Sequence, residues 1–121
     1  MTDPTDLPRP SPPPRALDIC AGAGGLSLGL TRAGFDVLGL ELDPDACDTH
    51  RRHVGPCEAA DLRTWHPSSI FDLVAGGPPC QPFSVAGLGL ADADERYLIP
   101  DFLRIAREAD ARAIMIENVR G

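Results

Sequence analysis

A chain of 121 residues with 43% hydrophobic content has room for one modest domain with an apolar core. Its 11 basic residues, all arginine, stand against 18 acidic ones for a formal net charge of −7, the wrong sign for a domain that grips a nucleic-acid backbone unaided. No apolar run is long enough to cross a bilayer and no signal-peptide pattern opens the chain, so a cytoplasmic protein with its four cysteines free is expected.

Residues 1–14 hold Pro4, Pro8, Pro10, Pro12, Pro13 and Pro14 and are expected as a disordered or polyproline-like leader. The leader is either a spacer or, through Pro10 and Pro13, a segment that a partner recognises. Strand-like and helix-like runs alternate after it. The first strand is expected over 16–20, a helix over 26–33 closed by Gly34, and a second strand over 37–42. A helix follows over 44–53, with Asp43 as its N-cap and Pro44 in its first turn. A weak third strand is expected over 57–60 and a strong fourth over 71–75. Residues 84–95 have the length and glycines of a lid, with Gly87 and Gly89 as hinges. Leu98, Phe102, Ile105 and Ala109 then recur at helical spacing over 98–108, and a fifth strand is expected over 113–116. The alternation predicts an α/β domain on a parallel sheet.

Residues 76–84 read Gly-Gly-Pro-Pro-Cys-Gln-Pro-Phe-Ser. Glycines and prolines end the fourth strand abruptly and hold Cys80 in a stiff turn, which suits a nucleophile, although a cysteine incidental to a Gly/Pro turn has the same neighbours. Gly22, Gly24 and Gly25 follow the first strand and let the backbone approach a ligand, or serve a tight turn alone. The dinucleotide fingerprint is not completed, because Leu26 and Ser27 come next. Glu41 ends the second strand, where a carboxylate can accept both hydroxyls of a ribose. Gly22, Glu41, Asp61, Cys80 and Glu117 each fall at or just past the C-terminal end of an expected strand, on the edge where open α/β sheets bind ligands. Cys47, His50, His53 and Cys57 raise a zinc reading, set aside because their spacing rotates them off one helix face and no Cys-x-x-Cys pair anchors a site.

Residues 18–25, 76–84 and 116–121, in that order, resemble the glycine-rich, Pro-Pro-Cys and Glu-Asn-Val motifs of the DNA (cytosine-5)-methyltransferase family, a resemblance covering about residues 15–121. It implies the N-terminal portion of that catalytic domain, a Rossmann-like S-adenosylmethionine-dependent methyltransferase fold truncated after about five strands. It also implies S-adenosylmethionine as cofactor. Asp18, Cys20, Ala21, Gly22, Gly24 and Gly25 would wrap the methionine portion, Glu41 would hold the ribose, Leu42 the adenine face and Asp61 the adenine amino group, with Pro78 a further cofactor-binding residue. Cys20 stands where many members carry an aromatic residue.

By the same resemblance Cys80 would add to C6 of cytosine, and Glu117, enclosed enough to keep a proton, would stabilise charge at N3. Asn118 would hold the loop at 78–80. Arg96 would bind phosphate or the cytosine O2 region, with a surface salt bridge as its alternative. The base would be extruded from duplex DNA in a restriction–modification setting, and tRNA is the second substrate considered. Family members continue past Glu-Asn-Val into further strands and a target-recognition region. The chain is therefore expected to need a complementary polypeptide, with an inactive remnant or an enzyme of free pyrimidines as rivals.

Overall fold

The computed structural model describes residue 5, residues 11–79 and residues 97–118. The expectations for Cys80, Gly87, Gly89 and Arg96, and most of those for the leader, lie outside the described residues. The described chain forms a parallel sheet of five strands in the order β3-β2-β1-β4-β5. The strands are β1 (Arg15–Ile19), β2 (Asp36–Glu41), β3 (Cys57–Ala59), β4 (Leu73–Gly76) and β5 (Ala113–Ile116), and the helices α1 (Gly25–Arg32), α2 (Pro44–His53) and α3 (Ile99–Glu108).

Alternation along the strands divides the core. Leu17, Ile19, Leu40 and Val74 face Phe102, Ile105 and Ala106 of α3, while Ala16, Val37 and Ala75 face Leu30 of α1. Helix α2 lies beside α1, since His50 and Ser27 are hydrogen-bonded to each other. Two successive crossovers thus run one way from β1, and the chain then returns to the other side of β1. The order reverses between β1 and β4, and the crevice at their C-terminal ends is the position where such sheets receive ligands.

Local chemistry sets the boundaries. Strand β1 stops at Ile19, one residue before its expected end, because Cys20 takes φ +58 and turns the chain out of the ladder. Helix α2 matches its expected span, with Asp43 Oδ1 accepting the Asp45 N–H at 3.0 Å and Pro44 in the first turn. Strand β4 starts two residues later than expected. Phe71 is instead committed to the α3 core: its N–H donates to the Ala109 carbonyl at 3.1 Å, and the Arg15 guanidinium sits 4.3 Å above its ring. At the other end of the order, Ile114, Met115 and Ile116 of β5 are 49%, 42% and 38% exposed, unusual for a parallel strand, which normally has both faces covered.

Candidate active site

The loop after β1 is shaped by three left-handed residues, Cys20, Gly22 and Gly24, with φ of +58, +56 and +107. Glu41 ties this loop to β2. Its Oε1 accepts the Gly22 N–H and its Oε2 the Asp43 N–H, both at 2.8 Å, leaving each oxygen a lone pair for a ligand hydroxyl. Gly24 is required on its far side, because a Cβ there would fall 2.7 Å from Val54 and 2.8 Å from the His50 ring. Gly24 therefore seats the loop on α2, while the ligand side of the loop is lined by Cys20 and Ala21.

The β4 end is equally constrained. A Cβ on Gly76 would run into the Ile19 carbonyl, and one on Gly77 would lie 2.8 Å from Glu117 Oε2. The Glu117 N–H donates to the Gly76 carbonyl at 2.9 Å, prolonging the β4–β5 ladder by one residue. The Glu117 carboxylate accordingly rests over Gly77, just before Pro78 and Pro79. It is exposed, as is Asn118, so the described residues do not enclose Glu117 as expected; β5 is the outer strand and no other described element covers its end.

Two cavities meet at Cys20. One, of about 240 Å³, is lined by apolar Leu40, Leu42, Leu62 and Leu98 together with Glu41 and Asp61. The other, of about 390 Å³, is bordered by Asp18 and Glu117 together with Ala21, Leu26, Gly77 and Met115. An apolar slot with two carboxylates at its rim fits a nucleoside, and an acidic chamber next to it fits a cationic group. Most of the expected cofactor residues are thus brought together. Asp18, Cys20, Ala21, Glu41, Leu42 and Asp61 border the cavities, whereas Gly22, Gly24 and Gly25 shape the loop without lining them, and buried Pro78 lines neither, Pro79 bordering the slot instead. Leu40, Ala60, Leu98 and Met115 also line the cavities and were not foreseen, because nothing local distinguishes them from core residues.

Asp61 is held by its own loop. Its carboxylate takes the Arg63 guanidinium at 2.8 and 3.1 Å, and these bonds hold it below the usual carboxylate range. The loop behind it is pinned by Arg104 of α3, which donates to the Leu62 and Trp65 carbonyls, both at 2.9 Å. Burial, followed by the charges of Glu41 and Asp18, pushes the Cys20 thiol up to about 12. Burial and a hydrogen bond with Cys47 push Cys57 to about 12 as well. Neither is a nucleophile near neutral pH.

The chain matches the C-5 cytosine-specific DNA methylases over residues 15–121. It belongs to that family. Among curated relatives, the Type II methyltransferase M.NgoMIV of Neisseria gonorrhoeae is 49% identical over 111 residues, spanning 88% of this chain and 36% of its own length. M.AplI of Arthrospira platensis is 40% identical over 111 residues, spanning 87% of this chain and 31% of its own. The chain therefore spans about a third of the length of these relatives. Among solved structures, a prophage-encoded DNA modification methyltransferase of E. coli superposes with a TM-score of 0.71 at 31% identity, over 89% of this chain and 32% of that one. A TehB-like SAM-dependent methyltransferase of Corynebacterium glutamicum does so with a TM-score of 0.60 at 28% identity, over 88% and 55% of the two chains. The Rossmann-like methyltransferase fold expected from the motifs is the observed fold.

Proposed function

We propose that this chain forms the cofactor-binding and nucleophile-bearing part of an enzyme that transfers a methyl group from S-adenosylmethionine to C5 of cytosine in DNA. One observation carries the reading. The glycine loop, Glu41, the Gly-Pro-Pro turn that leads to Cys80, and Glu117 share one edge of the sheet, around two joined cavities of matching chemistry. Glu41 is the ribose acceptor, Leu42 and the apolar slot take the adenine with Asp61 at its amino group, and Asp18 faces the cationic end. The bound cofactor supplies a methyl group made electrophilic by its sulfonium.

The chain supplies the rest. C5 of cytosine is a poor nucleophile until C6 is attacked, so Cys80 adds to C6 as a thiolate, forming an S–C6 bond and driving electron density onto C5 and N3. Glu117 gives a proton to N3 as that density arrives. C5 then takes the methyl group, a C5–carbon bond forming as the carbon–sulfonium bond breaks and the neutral thioether S-adenosylhomocysteine is left. A base removes the C5 proton, N3 returns its proton to Glu117, and the S–C6 bond breaks to restore the aromatic ring and the thiolate. The high pKa of Cys20 and Cys57 and the complete burial of Cys47 leave Cys80 as the thiol for this step. Asn118 steadies the Cys80 loop, and Arg96 meets phosphate or cytosine O2.

The enclosure Glu117 needs to hold a proton comes, in this reading, from a polypeptide carrying further strands and the target-recognition region. The exposed apolar face of β5 supports this, as does the net charge of −7, which leaves most phosphate contacts to another segment. Methyl transfer to duplex DNA by the protein, with and without that polypeptide, is the test. A Cys80-dependent product that needs the added part is expected, and transfer that survives Cys80→Ala overturns the reading.

A further inference from the structure

Asp18, Ser27 and His50 form a hydrogen-bonded chain sealed from solvent, at 1%, 0% and 1% exposure. Ser27 Oγ lies 2.6 Å from Asp18 Oδ2 and 2.9 Å from His50 Nε2, while His50 Nδ1 lies 3.0 Å from the Gly55 carbonyl. A carbonyl only accepts, so Nδ1 carries a hydrogen. Ser27 has one hydroxyl hydrogen for two neighbours. If it goes to the Asp18 carboxylate, Nε2 must donate and the ring is an imidazolium. If it goes to Nε2, the ring is neutral and Asp18 must donate as a carboxylic acid. The two arrangements hold the same atoms and interconvert by shifting one hydrogen from Asp18 to Ser27 and another from Ser27 to His50. Carboxylate with neutral imidazole is the state that fits badly, since it leaves one of the two short buried contacts without a hydrogen.

We propose that Asp18, Ser27 and His50 share one mobile proton, and that its position sets the charge Asp18 presents to the cationic end of the bound cofactor. Asp18 is among the residues bordering the acidic cavity, so one end of the buried chain lies next to the chamber assigned to the ligand. His50 forms the other end and is built into the binding loop: a Cβ on Gly24 or on Gly39 would fall 2.8 Å from its ring. Burial raises the Asp18 pKa, against the opposing pull of Ser27 and His50, which keeps the acid form within reach. The other titratable groups nearby are Glu41 on β2, whose charge also favours protonated Asp18, Cys20, which remains a thiol, and Asp36, which shares a small cavity with Ser27 and His50. A cation arriving beside Asp18 draws the proton toward His50 and leaves a carboxylate in place, without exchange with solvent. His50 is thus a positioning residue acting through Asp18.

This inference rests on the cofactor assignment above, and ¹⁵N-histidine NMR separates the two. In the ligand-free protein the Nδ1 resonance of His50, assigned with His50→Gln, should report a nitrogen that carries a hydrogen, as its bond to the Gly55 carbonyl requires. Saturating S-adenosylmethionine should move the Nε2 resonance toward its protonated position, and S-adenosylhomocysteine, lacking the sulfonium charge, should move it less. In Asp18→Asn the amide donates to Ser27 and the hydroxyl to Nε2, so Nε2 should stay an acceptor with or without cofactor. An Nδ1 without a hydrogen, or an Nε2 signal indifferent to bound S-adenosylmethionine, overturns the proposal; both are read on the wild type should Asp18→Asn fail to fold. Absence of cofactor binding overturns the assignment and the linkage to it, while the ligand-free Nε2 resonance, compared between wild type and Asp18→Asn, still decides whether the proton is shared.

Discussion

The two sides of the crevice are finished to different degrees. On the β1–β2 side every described anchor is internal: Glu41 holds two backbone amides, Asp18 is tied through Ser27 to α2, and Gly24 packs on His50 and Val54. On the β4–β5 side the glycines are just as constrained, yet Glu117 and the apolar side chains of β5 face outward. In the proposed reading the contacts to the cofactor lie on the side that is internally anchored, whereas the chemistry assigned to Cys80 and Glu117 depends on what covers β5. Variants on the two sides should therefore fail in different ways.

The largest effect belongs to the chemistry side. Cys80→Ala should abolish methyl transfer while leaving S-adenosylmethionine affinity within about twofold, read by calorimetry beside a labelled-methyl assay. Equal loss of both would erase the distinction. Phe102→Ala, in the core behind the crevice, should cost about 3–5 kcal/mol in denaturant unfolding and weaken both sides together. Glu117→Gln should lower the single-turnover rate on the order of a hundredfold with little change in cofactor binding. Glu41→Gln should do the reverse, weakening S-adenosylmethionine about tenfold or more, since charged acceptors for two amides and the ribose are lost.

The smallest expected effect is on stability against pH. Burial raises the folded-state pKa of Asp18, so its contribution is fully present below the unfolded value of 3.8 and is lost as pH rises through the folded value. Asp18→Asn should flatten that part of the profile and equal or exceed the wild type in urea midpoint at neutral pH, although it binds cofactor more weakly. A midpoint that drops equally at every pH would mean the carboxylate is wanted in the fold itself.

Much of this was legible in the sequence, for physical reasons. Apolar periodicity fixes α3, because Phe102, Ile105 and Ala109 must reach one face, and Asp43-Pro44 announces α2 through its own backbone chemistry. Glu41 was legible because an acid at the end of an otherwise apolar strand has few other reasons to be there. The Asp18–Ser27–His50 chain was not, since its members lie 9 and 23 residues apart and meet only because two crossovers put α1 and α2 on the same face. His50 was noticed only as a zinc candidate; its buried place one turn after buried Cys47 was the available signal. The exchange of Pro78 for Pro79 at the slot is a matter of which way a stiff turn points, and residue types alone do not determine that.

The central claim is that Cys80 forms a bond to C6 of a cytosine in DNA with Glu117 beside it. Duplex DNA carrying 5-fluorocytosine at the target position tests it most directly, because after methylation the fluorine on C5 cannot leave as a proton does and the S–C6 bond persists. The protein, together with whatever polypeptide supplies target recognition, should yield a denaturation-resistant adduct that requires S-adenosylmethionine and maps by mass spectrometry to the peptide containing Cys80. An adduct of equal yield in Cys80→Ala, or methylation of unmodified DNA with no adduct on the fluorinated duplex, would contradict the account.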